Sequence, residues 1–277
     1  MTPSARLSAA IDILAGIADL RVPVGEALKD WGRRNRYAGA KDRTAIANLI
    51  YDALRTRASS AWLMGGDSPR QIMLGALKVS RGLDANAVAR LCSGERYAPA
   101  PLSEEERVAL DTATLDGAPD HVQGDYPEWL AAHFSRAFGA DAVAEGRALA
   151  QRAPVDLRVN LIKTTREKAL EELAHLAPQP TPFSPLGLRI AVAGDGRGPA
   201  LSAEPAYVKG LVEVQDESSQ IAAIIAAPKA GEQVLDLCAG GGGKTLALAS
   251  LMGNSGQIYA TDADGRRLMP IYERLER

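Results

Sequence analysis

Cysteine and histidine are scarce in this 277-residue chain, and their scarcity excludes several classes of function. Two cysteines, Cys92 and Cys238, can build neither a disulfide framework nor a four-ligand zinc site. The histidines His121, His133 and His175 are scattered and add no metal-ligand spacing. Long apolar runs are missing as well: stretches such as residues 221–228 fall far short of the ~20 residues that cross a bilayer. The opening MTPSARLSAAIDIL lacks the long apolar core and small-residue cleavage site of a secretory signal. Net charge is −2 with a pI near 6.0, so global charge favours no class of partner. These absences imply a reduced, metal-free, cytoplasmic protein, expected to be a monomer with no membrane partner. What is present is ordinary: 46% hydrophobic and 24% charged residues exclude a disordered or fibrous chain, and the length allows two or three compact domains.

Locally the charge is uneven. Between Lys29 and Arg57 eight basic residues (Lys29, Arg33, Arg34, Arg36, Lys41, Arg43, Arg55, Arg57) face three acids, a net +5. Between Glu104 and Glu128 eight acids face one base, a net −7. A chain neutral overall can still present a basic face to nucleic acid, the alternative being a solvated helix surface.

The first third reads as helices. Leu7, Ile11, Leu14 and Ile17 recur at helical spacing after Thr2-Pro3, and Ile46, Leu49, Ile50, Ala53 and Leu54 do so after Asp42, a candidate N-cap. Ser68-Pro69 opens a further helix, and Ser103 with Glu106 forms a capping box. Residues 1–118 are read as one helical bundle. After an acidic linker, Pro127 starts a helix that Gly139 terminates, and a second helix through Val143, Arg147 and Leu149 stops before Pro154. Val155, Leu157, Val159 and Leu161 alternate with polar residues, the pattern of a half-buried strand. Thr164 with Glu167 forms another capping box, 179–187 is a proline-rich surface connection, and 186–194 is a second strand. Residues 119–205 make a small α/β unit. From 206 onward the order is a short strand over 211–215, a helix capped by Asp216, a strand over Gln233–Leu237, a glycine turn, a helix over Thr245–Met252, a strand over Gln257–Thr261 and a last helix. That is the opening of a doubly wound parallel sheet.

The turn reads Cys238-Ala239-Gly240-Gly241-Gly242-Gly243-Lys244-Thr245. Consecutive glycines between a strand and a helix let the backbone take positive φ and lie close against a ligand, and the helix N-terminus points free N–H groups into the same crevice. A P-loop needs glycine where Cys238 stands, and G-x-G-x-x-G needs one at Thr245 or Leu246, so both phosphate-binding patterns fail. Asp236 precedes the turn and Asp262 ends the next strand. A carboxylate at that second place accepts hydrogen bonds from ribose hydroxyls. A nucleoside carrying no phosphate fits, and S-adenosylmethionine is the common cofactor of that description.

On VQDESSQIAA, VLDLCAGGGGKTLALAS and IYATDADGRRL the chain resembles the RsmB/Nop/Sun family of RNA cytosine-5 methyltransferases. The family turn reads Asp-x-Cys-Ala-Ala-Pro-Gly-Gly-Lys-Thr. Asp236, Cys238, Ala239, Gly242, Gly243, Lys244 and Thr245 match it, while Gly240 and Gly241 replace Ala and Pro, a loss of proline expected to loosen the turn. PEWLAAHFSRAFG and DLRVNLIKTTREKALEEL resemble the family's small RNA-binding domain. KDRTAIANLIYDALRTRASSAWLM resembles the NusB-like helical domain of its bacterial small-subunit ribosomal RNA members. The resemblance implies a multidomain chain: an all-α NusB-like bundle (1–118), a small α/β RNA-binding domain (119–205), and the start of a class I, Rossmann-like methyltransferase domain (206–277). It implies that Cys238, Ala239, Gly240, Gly241, Gly242, Gly243 and Lys244 wrap S-adenosylmethionine and that Asp262 holds its ribose. It places Gln215 and Asp216 in support beneath the site and Arg158 and Asn160 near RNA. The implied partner is RNA of the small ribosomal subunit.

In that family a cysteine thiolate adds to C6 of cytosine so that C5 can take the methyl group, and a second cysteine releases the product. Both lie on strands after the second. Cys238 belongs to the cofactor turn, where it is expected to be small and buried, and Cys92 to the helices. The nucleophile is therefore expected beyond Arg277, with residues 1–277 alone inactive. Two further readings stay open: a non-catalytic RNA-binding or assembly module, and a class I methyltransferase of another substrate class.

Overall fold

The computed structural model describes residues 1–20, 22–192 and 198–277. They divide into two compact units, Met1–Arg152 and Ala153–Arg277.

The first unit is helical: α1 (Pro3–Leu20), α2 (Val24–Arg34), α3 (Ala40–Arg55), α4 (Arg57–Met64), α5 (Pro69–Arg81), α6 (Ala85–Leu91), α7 (Glu104–Thr112), α8 (Asp120–Gln123), α9 (Ala131–Phe138) and α10 (Ala142–Ala150). The apolar stripes read from the sequence meet in one core, in which Leu7, Ile46, Ile50, Met73, Leu74 and Leu110 are fully buried. Ser68 and Ser103 cap α5 and α7, accepting from the N–H of Gln71 and Glu106. Asp42 is not the N-cap of α3. Gly39 takes that place, and the Asp42 carboxylate reaches back from the third helical position to accept the Gly39 N–H. The helices over 120–150 pack within this first unit, although sequence patterning groups them with the α/β segment. The Ser59 N–H and hydroxyl both donate to the Asp125 carboxylate, at 2.8 and 2.7 Å, and a Cβ on Gly146 would stand 2.6 Å from the Gly124 carbonyl oxygen.

The second unit begins with β1 (Val155–Val159), α11 (Arg166–Glu172), β2 (Gln179–Pro180), β3 (Gly187–Ile190), α12 (Pro205–Val208), β4 (Val212–Val214) and α13 (Glu217–Ala226). The strands form an antiparallel sheet in the order β2-β3-β1-β4, with Leu157 opposite Leu188 on one side and Val214 on the other. β4 thus completes this sheet and does not open the next. β1 is covered on both faces, against the expectation of a half-buried strand. Its polar side chains are paired: Asp156 accepts from Arg189 Nε and Nη2 at 2.7 and 2.8 Å, and Arg158 Nε donates to Gln215 Oε1 at 2.6 Å. α11 is capped by Thr165, one residue later than the pattern suggests. The connection 179–187 is not all surface: Thr181 and Ser184 are buried, and the N–H groups of Phe183 and Ser184 donate to Glu217. Of the strand expected over 186–194, Gly187–Ile190 is formed; Ala193 and Gly194 lie outside the described residues.

The rest of the unit comprises β5 (Gln233–Asp236), α14 (Gly243–Leu251), β6 (Gln257–Ala260), α15 (Gly265–Leu268) and α16 (Pro270–Glu276). β5 and β6 pair in parallel, with Gln233 opposite Gln257 and Asp236 opposite Ala260. Ala223, Ala247 and Leu248 form the small core between α13 and α14, with Val234 and Ile258 packed against it.

Candidate functional site

The glycine turn lies between the carboxyl end of β5 and the start of α14. Gly240 and Gly242 have φ of +52° and +80°, in the left-handed region that side chains disfavour. A Cβ on Gly242 would stand 2.3 Å from Ile271 Cγ1, so here close approach requires glycine as well. Gly241, between Gly240 and Gly242, does not have a positive φ. The Ala239 N–H donates to the Thr261 carbonyl at 2.8 Å, tying the turn to the residue after β6.

Asp262 closes the site. Its side chain is 2% exposed, Oδ2 accepts the Gly240 N–H and Oδ1 the Asp264 N–H, each at 3.0 Å. Those N–H groups, Asp264 first and then Gly240, hold its carboxyl below the usual carboxylate range against the cost of burial. An ionised carboxylate has about four acceptor positions, so these N–H groups leave two of them unused, with Arg267 Nη1 3.8 Å from Oδ1. Asp264 accepts from the Arg266 N–H and caps α15, as a helix-start acid should. Asp236 is engaged within the scaffold, where Thr245 Oγ1 donates to it at 2.7 Å. Lys244 is exposed at the start of α14. The N–H groups of Gly243, Lys244 and Thr245 precede the first intrahelical donor, Leu246, and face the crevice end of the helix. The turn, the helix start and Asp262 are thus brought together, and they suit a polar nucleoside.

Cys238 is exposed, not buried as expected. Cys92 is buried in the helical core, where burial pushes its thiol up and the nearby Arg70 only partly opposes this. Arg158 is buried. Desolvation pulls its guanidinium down to about 10 while Glu213 acts to raise it. Asn160 Nδ2 donates to the Gly210 carbonyl at 3.0 Å and its Oδ1 accepts the Ile162 N–H, so it shapes a turn. Gln215 and Asp216 are placed as support: Gln215 accepts from Arg158, and Asp216 caps α13.

The sequence places a last helix here, and α16 is that helix, but its contact with the glycine turn is not foreseen. Arg274 Nη1 donates to the Gly241 carbonyl, Arg274 Nη2 pairs with Glu213 at 3.2 Å, and Ile271 lies on Gly242. The i, i+3 spacing of Ile271 and Arg274 was the available signal, but periodicity does not say which surface a helix face covers.

A family model described as 16S rRNA methyltransferase RsmB/F matches residues 223–277. A second, described as an RsmF/B-like methyltransferase ferredoxin-like domain, matches residues 126–195. The β-α-β-β-α-β order around a central β1 agrees with that description. The chain is 37% identical over 155 residues to the probable ribosomal RNA small subunit methyltransferase B of Synechocystis sp., covering 54% of this chain and 33% of the relative. It is 30% identical over 269 residues to the ribosomal RNA small subunit methyltransferase B of Erwinia tasmaniensis, covering 86% of this chain and 60% of the relative. The chain therefore spans between a third and three fifths of the length of these relatives. Among solved structures, that of PH0851 is similar in fold, with a TM-score of 0.66 at 19% identity over 100% of this chain and 67% of that one.

Proposed function

From the premise that this chain carries domains of the RsmB/F family of 16S rRNA methyltransferases, we propose that it serves S-adenosylmethionine-dependent methylation of C5 of a cytosine in small-subunit ribosomal RNA. The helical unit, residues 1–152, serves as a NusB-like RNA-docking bundle, the antiparallel sheet over 155–214 as the small RNA-binding domain, and the segment from α13 onward, residues 217–277, as the first part of a Rossmann-like catalytic domain. The observation that carries the reading is the Gly240 N–H held by the Asp262 carboxylate across the carboxyl ends of β5 and β6. It joins a backbone cradle to a ribose acceptor at the place where open α/β sheets bind their ligands.

Cys238 to Lys244 hold the methionine and ribose parts of the cofactor through backbone groups, and the α14 N-terminus favours its carboxylate. Asp262 accepts from the ribose hydroxyls. When bound, S-adenosylmethionine supplies the electrophilic methyl group. Cytosine C5 needs a thiolate at C6 before it can accept that group. Cys92, buried with a raised pKa, is protonated at neutral pH, and Cys238 forms part of the cofactor turn. Residues 1–277 alone are therefore inactive in methyl transfer. The working protein is a cytoplasmic monomer without a metal.

Calorimetry of residues 1–277 with S-adenosylhomocysteine tests the cofactor site. Binding that Asp262→Asn weakens supports the reading; no binding overturns it. Tritium from labelled S-adenosylmethionine, mapped on small-subunit RNA by nuclease digestion, tests the chemistry. Label on any atom other than cytosine C5, or transfer by residues 1–277 alone, contradicts the corresponding part.

A further inference from the structure

The basic stretch seen in the sequence sorts, in the folded chain, into cations that are used and cations that are not. Lys29 pairs with Glu26 at 3.3 Å, Arg33 with Asp30 at 2.9 Å and Arg55 with Asp52 at 2.6 Å. Asp42, the acid nearest the α2–α3 connection, is buried and engaged by Arg6 Nε at 2.8 Å and by the Gly39 N–H. Arg34, Arg36 and Lys41 are exposed and have no acidic partner among the described residues. They occupy the end of α2, the connection and the start of α3. Tyr37 stands among them with 72% of its surface exposed, far more than a packed aromatic shows. Beside this connection an open groove of about 340 Å³ runs between α2 and α3, lined by Leu28, Trp31 and Ala47 and by the cations Lys29 and Arg43.

We propose that the α2–α3 turn is an RNA-docking surface, in which Arg34, Arg36 and Lys41 contact phosphates and Tyr37 stacks on an unpaired base. The surface fits single-stranded or looped RNA. Unpaired guanidinium and ammonium groups exchange counterions for phosphates, an exposed tyrosine offers a face to any splayed base, and the mostly apolar groove with a cationic edge takes a second one. A duplex would leave Tyr37 and the groove without partners, because stacked bases are not free to enter them. This inference rests on the RNA-substrate reading above and adds the place of contact.

The test is fluorescence anisotropy of residues 1–277 on a labelled small-subunit RNA fragment, across a salt series. The triple variant R34Q/R36Q/K41Q should bind ~10–100-fold more weakly near 0.1 M salt, with the slope of log affinity against log salt reduced by about two. Tyr37→Ala should weaken binding several-fold with the slope unchanged. S-adenosylhomocysteine binding and the circular dichroism melt should match the parent in both variants, since these side chains are exposed and lie in the other compact unit from the glycine turn. Parent and triple variant binding RNA with equal affinity and slope overturns the surface while leaving the RNA reading intact, and turns attention to an acidic protein surface as its partner. A parent chain that binds no RNA overturns both.

Discussion

The two sheets of the second unit are built to different standards. In the antiparallel sheet Leu157, Val159 and Leu188 are wholly buried, and even the polar residues of β1 are buried with matched partners. In the parallel pair Leu235 and Tyr259 are 59% and 50% exposed, and Leu237 just beyond β5 is 67% exposed. Among the described residues, three buried side chains make up the core behind that pair. The candidate site sits on the sheet with the smaller core. Backbone placement there comes from hydrogen bonds across the strand ends and from Ile271 against Gly242, with few other buried side chains, so within residues 1–277 the site should open locally at lower cost than the scaffold beside it.

Five measurements bear on that contrast. Leu188→Ala should destabilise the second unit by about 2–5 kcal/mol in urea unfolding, whereas Leu235→Ala should change it by no more than about 0.5 kcal/mol. Equal losses would erase the contrast. Gly242→Ala, at φ +80° with Ile271 in the way, should cost about 1–3 kcal/mol and release the turn, seen as lost S-adenosylhomocysteine binding. Asp262→Asn should raise the dissociation constant for that ligand about tenfold or more and destabilise the unit by about 1–3 kcal/mol, since the amide nitrogen cannot accept one of the two N–H groups the carboxylate holds. The pH dependence has a defined sign. The Asp262 carboxyl is held below its ordinary 3.8 in the folded chain, so its contribution is complete above that value and is lost as pH falls through the lower folded pKa. Protection of the Gly240 amide from hydrogen exchange should accordingly be flat from pH 8 to 5 and fall only in stronger acid. The smallest effect belongs to the helical unit, where Ser103→Ala should cost about 1 kcal/mol as the cap of α7 is lost.

Much of this was legible from local rules. Ser68 and Ser103 announced two helix starts, Gly139 a helix end, and the glycine run a backbone that must lie against something. Errors arose where a local pattern met a tertiary partner. Asp156 and Arg158 look solvent-facing because they alternate with Leu157 and Val159, yet Arg189 and Gln215 let them be buried. The short strand 212–214 precedes a helix and a parallel strand, and nothing nearby in sequence says that it pairs with Val155–Val159 some fifty residues earlier. A place in a cofactor turn predicts burial for Cys238, yet in the folded chain it is exposed.

Sequence alone determined the helical character of the first unit, the strand–glycine–helix turn and the identity of the acid that closes it. These follow from side-chain period, capping chemistry and the conformational freedom of glycine, which act over a few residues. Tertiary structure alone decided which sheet β4 joins, that Ile271 and Arg274 lie on the turn, and which cations between Lys29 and Arg57 stay unpaired. Each of these depends on groups distant in sequence meeting in space, and burial or pairing is a property of that meeting, not of either residue.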